Sequence, residues 1–287
     1  MSTSPNQEFT EKVLKAYSDI DDPRLRSVIS ILIKHLHACV KEMKVTDQEW
    51  EFAWDFMKRM AEKTSPLGNE FLFFADVMGL SQLIEILNHG EQEQSVGVAL
   101  LGPFFRADAP FRERGASIAS DDAPGARVRI SGRVFEFEND APIEGAILDI
   151  WQAAANGLYE NQDEQQPDYH LRGRFRTDEN GTFELIALMP TAYHIPDDGP
   201  VGEFLKIAKR PPIRPAHIHV IVSAPGYETL VTQIFVKGDP DIEDDVVFTA
   251  SQNMVGDFRQ EGDAFRLAYD FPLKRGVSTL PKAPIPA

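Results

Sequence analysis

With 287 residues, 43% of them hydrophobic, the chain has room for one large domain or two moderate ones, each with a proper core. Its 29 basic and 45 acidic residues give a net charge of −16, which argues against nucleic-acid phosphates and anionic membrane surfaces as partners because both would be repelled. A small organic substrate fits that balance better.

Residues 1–10, MSTSPNQEFT, have neither a basic start nor an apolar centre, and the longest apolar run nearby, Val28 to Ile33 interrupted by Ser30, is too short to span a bilayer. A cytoplasmic protein without a membrane span is expected. From about residue 8 to residue 90 the pattern is helical. Val28, Leu32, Leu36, Val40 and Met43 keep the spacing of one helix face, and Cys39, the single cysteine, reads as a small core residue within it. Thr46-Asp47-Gln48-Glu49 is a capping box opening a second helix, with Trp50, Trp54, Met57 and Met60 on one side. A third helix is expected from about Asn69 to His89, stopped by Gly90. These stripes read as core or subunit contact.

After Glu91-Gln92-Glu93-Gln94 the texture changes to short apolar runs punctuated by glycine, proline and Asn/Asp pairs. Strands are expected at Arg127–Phe137 and Ala146–Gln152, joined through Glu138-Asn139-Asp140 as a hairpin, then at Gly173–Arg176, Thr182–Ala187, His217–Ser223 and Leu230–Val236. The fold class is therefore mainly β with an α-helical N-terminal domain: helices over residues 1–95 and an antiparallel β-sandwich over residues 96–287. Pro281 to Ala287 reads as an extended tail.

The chemistry-bearing stretch is Arg214-Pro215-Ala216-His217-Ile218-His219-Val220-Ile221-Val222. Side chains alternate along a strand, so His217 and His219 share one face while Ile218, Val220 and Val222 take the other. Two imidazoles on one face can grip a metal, although the same pattern also describes an ordinary half-buried strand. Tyr159, in Asn156-Gly157-Leu158-Tyr159, and Tyr193, in Pro190-Thr191-Ala192-Tyr193, precede it and could each be an ordinary hydrogen-bonded aromatic.

Taken in order, these segments resemble the intradiol ring-cleavage dioxygenases. So do Asp149-Ile150-Trp151-Gln152, Arg172-Gly173-Arg174-Phe175-Arg176-Thr177-Asp178, Gly181-Thr182-Phe183 and Thr232-Gln233-Ile234-Phe235. The resemblance implies a non-haem Fe(III) enzyme, with one iron per subunit held by Tyr159, Tyr193, His217 and His219. Arg214 and Gln233 would form the adjoining active-site pair, and Tyr193 would be the ligand that dissociates and helps deprotonate substrate. Phenolates are hard anionic ligands, and a Tyr2His2 set suits ferric iron better than zinc. Fe(III) with two tyrosinates and one hydroxide sums to zero charge, which avoids a large desolvation penalty on burial.

Leu100-Leu101-Gly102-Pro103-Phe104-Phe105 and the segment after Tyr193 look most like the branch that cleaves hydroxyquinol, 1,2,4-trihydroxybenzene. That branch implies pocket positions at Phe73, Asp76, Leu101, Gly102, Phe104, Ile195, Pro196 and Val247, with Asp76 able to accept a hydrogen bond from the third hydroxyl. His194 is an unusual occupant beside Tyr193. The implied partners are a small aromatic diol or triol and O2, and a second copy of the chain joined through the helices of residues 1–95, often with bound lipid. A catechol or chlorocatechol dioxygenase, a cupin-like oxygenase with its His-x-His strand, and a metal-free β-sandwich binding module are the alternatives.

Overall fold

In the computed structural model, residues 5–65, 68–89 and 96–284 are described. Gly90, the Glu91–Gln94 run and the end of the tail, residues 285–287, lie outside them.

Contacts group the chain into two compact units, one up to Arg59 and one from Met60 onward. The first contains α1 (Pro5–Ala16), α2 (Pro23–Met43) and most of α3 (Asp47–Lys63). Asp22 caps α2, its carboxylate accepting from the Arg24 and Leu25 amides, with Pro23 at the first turn where a missing N–H costs nothing. The Thr46 box forms as expected: the Glu49 carboxylate accepts from the Thr46 amide at 2.8 Å, and the Thr46 hydroxyl accepts from the Glu49 amide at 3.3 Å. The α2 stripe does not become core. No residue of α2 is buried, Val28, Leu32, Leu36, Val40 and Met43 are all exposed, and so is Cys39, which corrects its reading as a core residue. A three-helix unit of this length has too little interior to bury so many apolar side chains.

In the second unit, the helix expected over Asn69–His89 is two: α4 (Glu70–Val77), capped by Asn69, and α5 (Leu80–His89). Gly79, at φ +72°, breaks them apart in a left-handed conformation that glycine adopts without strain. These two helices belong to the second unit because they are stitched to it. The Glu70 carboxylate accepts from the Val201 amide at the start of α6 (Pro200–Ile207), and Gln82 bonds Val98 O and the Thr249 hydroxyl.

Among the described residues the β part is two five-stranded sheets plus a two-stranded ribbon. In one sheet the long β1 (Arg127–Glu136) pairs antiparallel with β4 (Thr182–Leu188) on one edge. On its other edge it pairs parallel with β11 (Ala264–Ala268) and β12 (Phe271–Leu273) in succession, and β10 (Arg259–Glu261) extends beyond β11. The second sheet has the order β3 (Arg172–Arg176), β2 (Ile147–Trp151), β7 (His217–Ser223), β8 (Leu230–Val236), β9 (Val255–Gly256). Three pairings are parallel, so the sandwich is mixed and not purely antiparallel. The expected β1–β2 hairpin is absent: after the turn at Asp140, φ +58°, the chain crosses into the other sheet. Burial drives that crossing. Val128, Ile130 and Val134 of β1 face Leu148 and Ile150 of β2 across a core completed by Phe175, Phe183, Leu185, Ile218, Val220, Val222 and Leu267.

Candidate active site

His217 and His219 project from β7 away from that core, while Ile218, Val220 and Val222 project into it, as alternation requires. Both strand faces are nonetheless buried. On the histidine side, Trp151 and Tyr159 pack with Phe105, Ile221 and Tyr193, and Leu101, Phe104 and Ile195 close round them. Arg172, Trp151, His219 and Gln233 are successive cross-strand partners on β3, β2, β7 and β8, one row across the sheet. Trp151 stacks on His219 with centroids 4.6 Å apart and planes 8° from parallel, which fixes the imidazole plane.

The two tyrosines arrive from different elements. Tyr159 opens a single 3-10 turn, Glu160–Gln162, and its amide is held by the Gln162 side chain at 3.1 Å. Phe104 stacks on its ring at 4.8 Å. Tyr193 lies in β5 (Tyr193–His194), a two-residue strand whose one ladder among the described residues is with β6 (Ile213–Arg214), so Tyr193 and Arg214 are direct partners. Gly157 lets the two approach: at φ +80° it would place a Cβ 3.1 Å from that of Tyr193. The Tyr159 and Tyr193 hydroxyls come within 3.3 Å, and the His217 and His219 Nε2 atoms within 3.1 Å. Tyr193 packs against His217 at 5.5 Å and Tyr159 against His219 at 6.2 Å between centroids, so the four donors form one cluster.

Electrostatics favour neutral imidazoles. His217 Nδ1 lies 2.7 Å from the Pro215 carbonyl, which can only accept, so Nδ1 carries the proton and Nε2 the lone pair. Burial, reinforced by the Arg214 charge, lowers His217 to about 3, and burial with the His217 charge takes His219 well below its ordinary range. Burial raises both tyrosines, Tyr159 most strongly, so only a strongly charged cation would hold them as phenolates at neutral pH. Two lone-pair imidazoles and two phenols that need a cation make a donor set that fits ferric iron.

Arg214 is buried beside this cluster. Its Nε donates to Asp245 at 2.8 Å and its Nη2 to the Gln233 carbonyl at 2.7 Å, while Gln233 Nε2 donates to Leu100 O at 3.1 Å. Burial pulls the Asp245 carboxyl upward, but the Arg214 charge and backbone donors outweigh it and leave it lowered. Asp245 also accepts from the Thr249 and Ala250 amides at 2.9 and 3.0 Å.

Of the pocket positions expected from sequence, Leu101, Phe104 and Ile195 pack on the aromatic cluster, and Gly102, at φ +77°, would place a Cβ 3.4 Å from His219 Cε1. Val247 is buried beside Asp245, its amide 3.4 Å from the carboxylate. Asp76 is half-buried on α4. Burial raises its carboxyl to about 6, against the Ser81 hydrogen bond and the Arg214 charge, so it lies within electrostatic reach of Arg214 and off the open solvent face. Phe73 is half-buried one turn earlier, and Pro196 is exposed after Ile195. Asp245 was not anticipated. In the acidic run Asp239 to Asp245 nothing local distinguishes it from a solvated loop carboxylate. Glu160, buried behind Tyr159, was missed for the same reason.

The sequence and fold match proteins of one kind. Residues 100–275 match the family model described as Dioxygenase, and residues 22–96 the one described as Catechol dioxygenase N terminus. A hydroxyquinol 1,2-dioxygenase of Rhizobium sp. (strain MTP-10005) is 40% identical over 91% of this chain and 88% of its own length. An intradiol ring-cleavage dioxygenase of Aspergillus niger is 39% identical, covering 89% and 82%. Among solved structures, a hydroxyquinol 1,2-dioxygenase from Pseudomonas putida DLL-E4 superimposes with a TM-score of 0.89 at 32% identity, covering 94% of this chain and 99% of that one. The chain belongs to the intradiol ring-cleavage dioxygenases.

Proposed function

We propose that the chain is a ferric intradiol dioxygenase that cleaves hydroxyquinol between its two adjacent hydroxyl-bearing carbons with O2, giving 3-hydroxy-cis,cis-muconate, which tautomerises to maleylacetate. The observation that carries this reading is the convergence of Tyr159, Tyr193, His217 and His219, with hydroxyls 3.3 Å and Nε2 atoms 3.1 Å apart, beside a buried arginine. The names of the Rhizobium and Pseudomonas relatives support hydroxyquinol as substrate.

Bound at these four residues, ferric iron would supply the positive charge that holds two phenolates, or one phenolate and a substrate dianion, and it would activate the ring toward oxygen. Tyr159 is 1% exposed and stacked on Phe104, so it stays in place. Tyr193 is 8% exposed, on a two-residue strand with a single ladder partner among the described residues, and would be the phenolate that takes a substrate proton at its Oη. Arg214, held rigidly by Asp245 and Gln233, faces the negative charge that develops as the ring opens; a preoriented cation in a water-poor site stabilises such charge without reorganising. Trp151 keeps the His219 ring oriented and, with Phe105, excludes water from that side. Asp76, near Arg214, would accept from the third hydroxyl of the substrate.

Two copies of the chain would associate through the helices of residues 1–95, with lipid between them. The apolar stripe left exposed on α2, with Trp50, Phe52 and Trp54 on α3, supports this. The test of function is oxygen uptake by the iron-loaded protein on hydroxyquinol, catechol and chlorinated catechols side by side, with the product identified. Fastest turnover on hydroxyquinol is expected. Faster turnover on catechol would reassign the substrate, and no uptake on any of them would leave a metal-free binding module.

A further inference from the structure

Behind Tyr159 lies a second charged cluster to which the proposed chemistry assigns no part. Arg172 of β3 and Glu160, the residue after Tyr159, form an ion pair whose side chains are 1% and 2% exposed. Arg172 Nε donates to Glu160 Oε2 at 2.6 Å and Nη2 donates to Asn161 Oδ1 at 3.2 Å, so one guanidinium grips the two residues that follow the tyrosine. Its Nη1 is buried with no hydrogen-bond partner among the described residues. The other Glu160 oxygen accepts from Arg106 at 2.7 Å, and Arg106 also bonds Asp168, whose side chain is 73% exposed.

The single Glu160 charge is thus shared between two guanidiniums. Arg106 hydrogen-bonds a second carboxylate, whereas Glu160 is the one carboxylate that Arg172 hydrogen-bonds among the described residues. Burial raises the Asp149 carboxyl to about 7, although it feels the Arg172 charge. Arginine does not lose its proton in proteins, so incompletely offset positive charge stays at Arg172. That charge sits 5.9 Å from the centre of the Tyr159 ring, at a separation where a cation and an electron-rich ring still attract, and in a desolvated site where screening is weak. Arg172 is also the cross-strand partner of Trp151, which carries the His219 ring, so both proposed ligands on this side rest on one row.

We propose that Arg172, balanced by Glu160, is a positioning residue that fixes the Tyr159 phenolate and tunes its electron donation to the bound ion. This inference rests on the reading of Tyr159 as a ligand of ferric iron. A cation beside a phenolate lowers the energy of its donor electrons, and charge transfer from phenolate to iron then needs more energy. Removing the cation must therefore move the visible band to longer wavelength, and removing the counter-anion must move it to shorter wavelength.

The test compares visible spectra of the iron-loaded wild type, Arg172→Gln and Glu160→Gln at matched iron content, with circular dichroism to verify folding. Opposite shifts, red for Arg172→Gln and blue for Glu160→Gln, are expected, since a purely mechanical loosening of the turn would move both the same way or neither. Where only one variant folds, the sign of its shift decides. Unshifted bands, shifts of the same sign, or failure of both variants to fold would assign the pair to structure alone and overturn the proposal. Absence of any visible band from the iron-loaded wild type is a different result, and it would overturn the ferric reading beneath it.

Discussion

Replacing Asp245 by asparagine tests whether Arg214 is held by charge. Arg214 and Asp245 are 5% and 3% exposed and meet at 2.8 Å. At the effective dielectric that best describes protein sites, unit charges about 4 Å apart attract by about 4 kcal/mol. Removing one partner of a buried pair costs about 3–5 kcal/mol, because the other charge is left desolvated. Asparagine keeps an acceptor for Thr249 and Ala250, so a loss near 3 kcal/mol is expected. Urea unfolding measures it as a lower midpoint at unchanged slope. The sign with pH follows too. A carboxylate whose folded pKa is lowered contributes stability above its unfolded pKa and loses it as pH falls through the folded value, so the gap between wild type and variant should close only in acid. Oxygen uptake should fall at least about ten-fold, the equivalent of about 1.4 kcal/mol of lost transition-state stabilisation. A stability change below about 1 kcal/mol, the range of an exposed pair, would refute the reasoning.

Asp149 is raised to about 7 by burial, against the Arg174 and Arg172 charges, so between about pH 4 and pH 7 the folded chain binds the extra proton and stability falls as pH rises. Asp149→Asn should remove that fall, and parallel stability profiles would contradict it. Gly157→Ala and Gly226→Ala share a positive φ, +80° and +85°, and a strain of about 1–2 kcal/mol, but only the first Cβ meets Tyr193. Oxygen uptake should drop in Gly157→Ala alone, and equal activities would remove the contact from the account. Asp76→Ala should lose activity on hydroxyquinol more than on catechol; an equal loss would take Asp76 out of substrate recognition.

The strand carrying His217 and His219 was legible to its ends, as was its partner Leu230–Val236, because alternation and β-branched composition are local signals. The capping box at Thr46 was legible for the same reason. What escaped depends on distance in the chain. The β1–β2 hairpin looked natural across a turn, but the cores of two sheets, not the turn, decide pairing. The helix α6 and the strands beyond residue 250 are too short to show a period, and Gly79 looked like an ordinary position in a helical stripe. In the site, the four proposed metal donors stood in recognisable segments, whereas Asp245 and Glu160 take their importance from arginines 31 residues before and 12 residues after them.

Titrating Fe(III) into the iron-free chain while recording the visible spectrum tests the central claim most directly. A broad tyrosinate-to-iron band should grow, saturate at one iron per chain, and fail to appear when Tyr159 and Tyr193 are both phenylalanine. A chain that binds one iron and stays colourless, or a double variant that colours like the wild type, would contradict it.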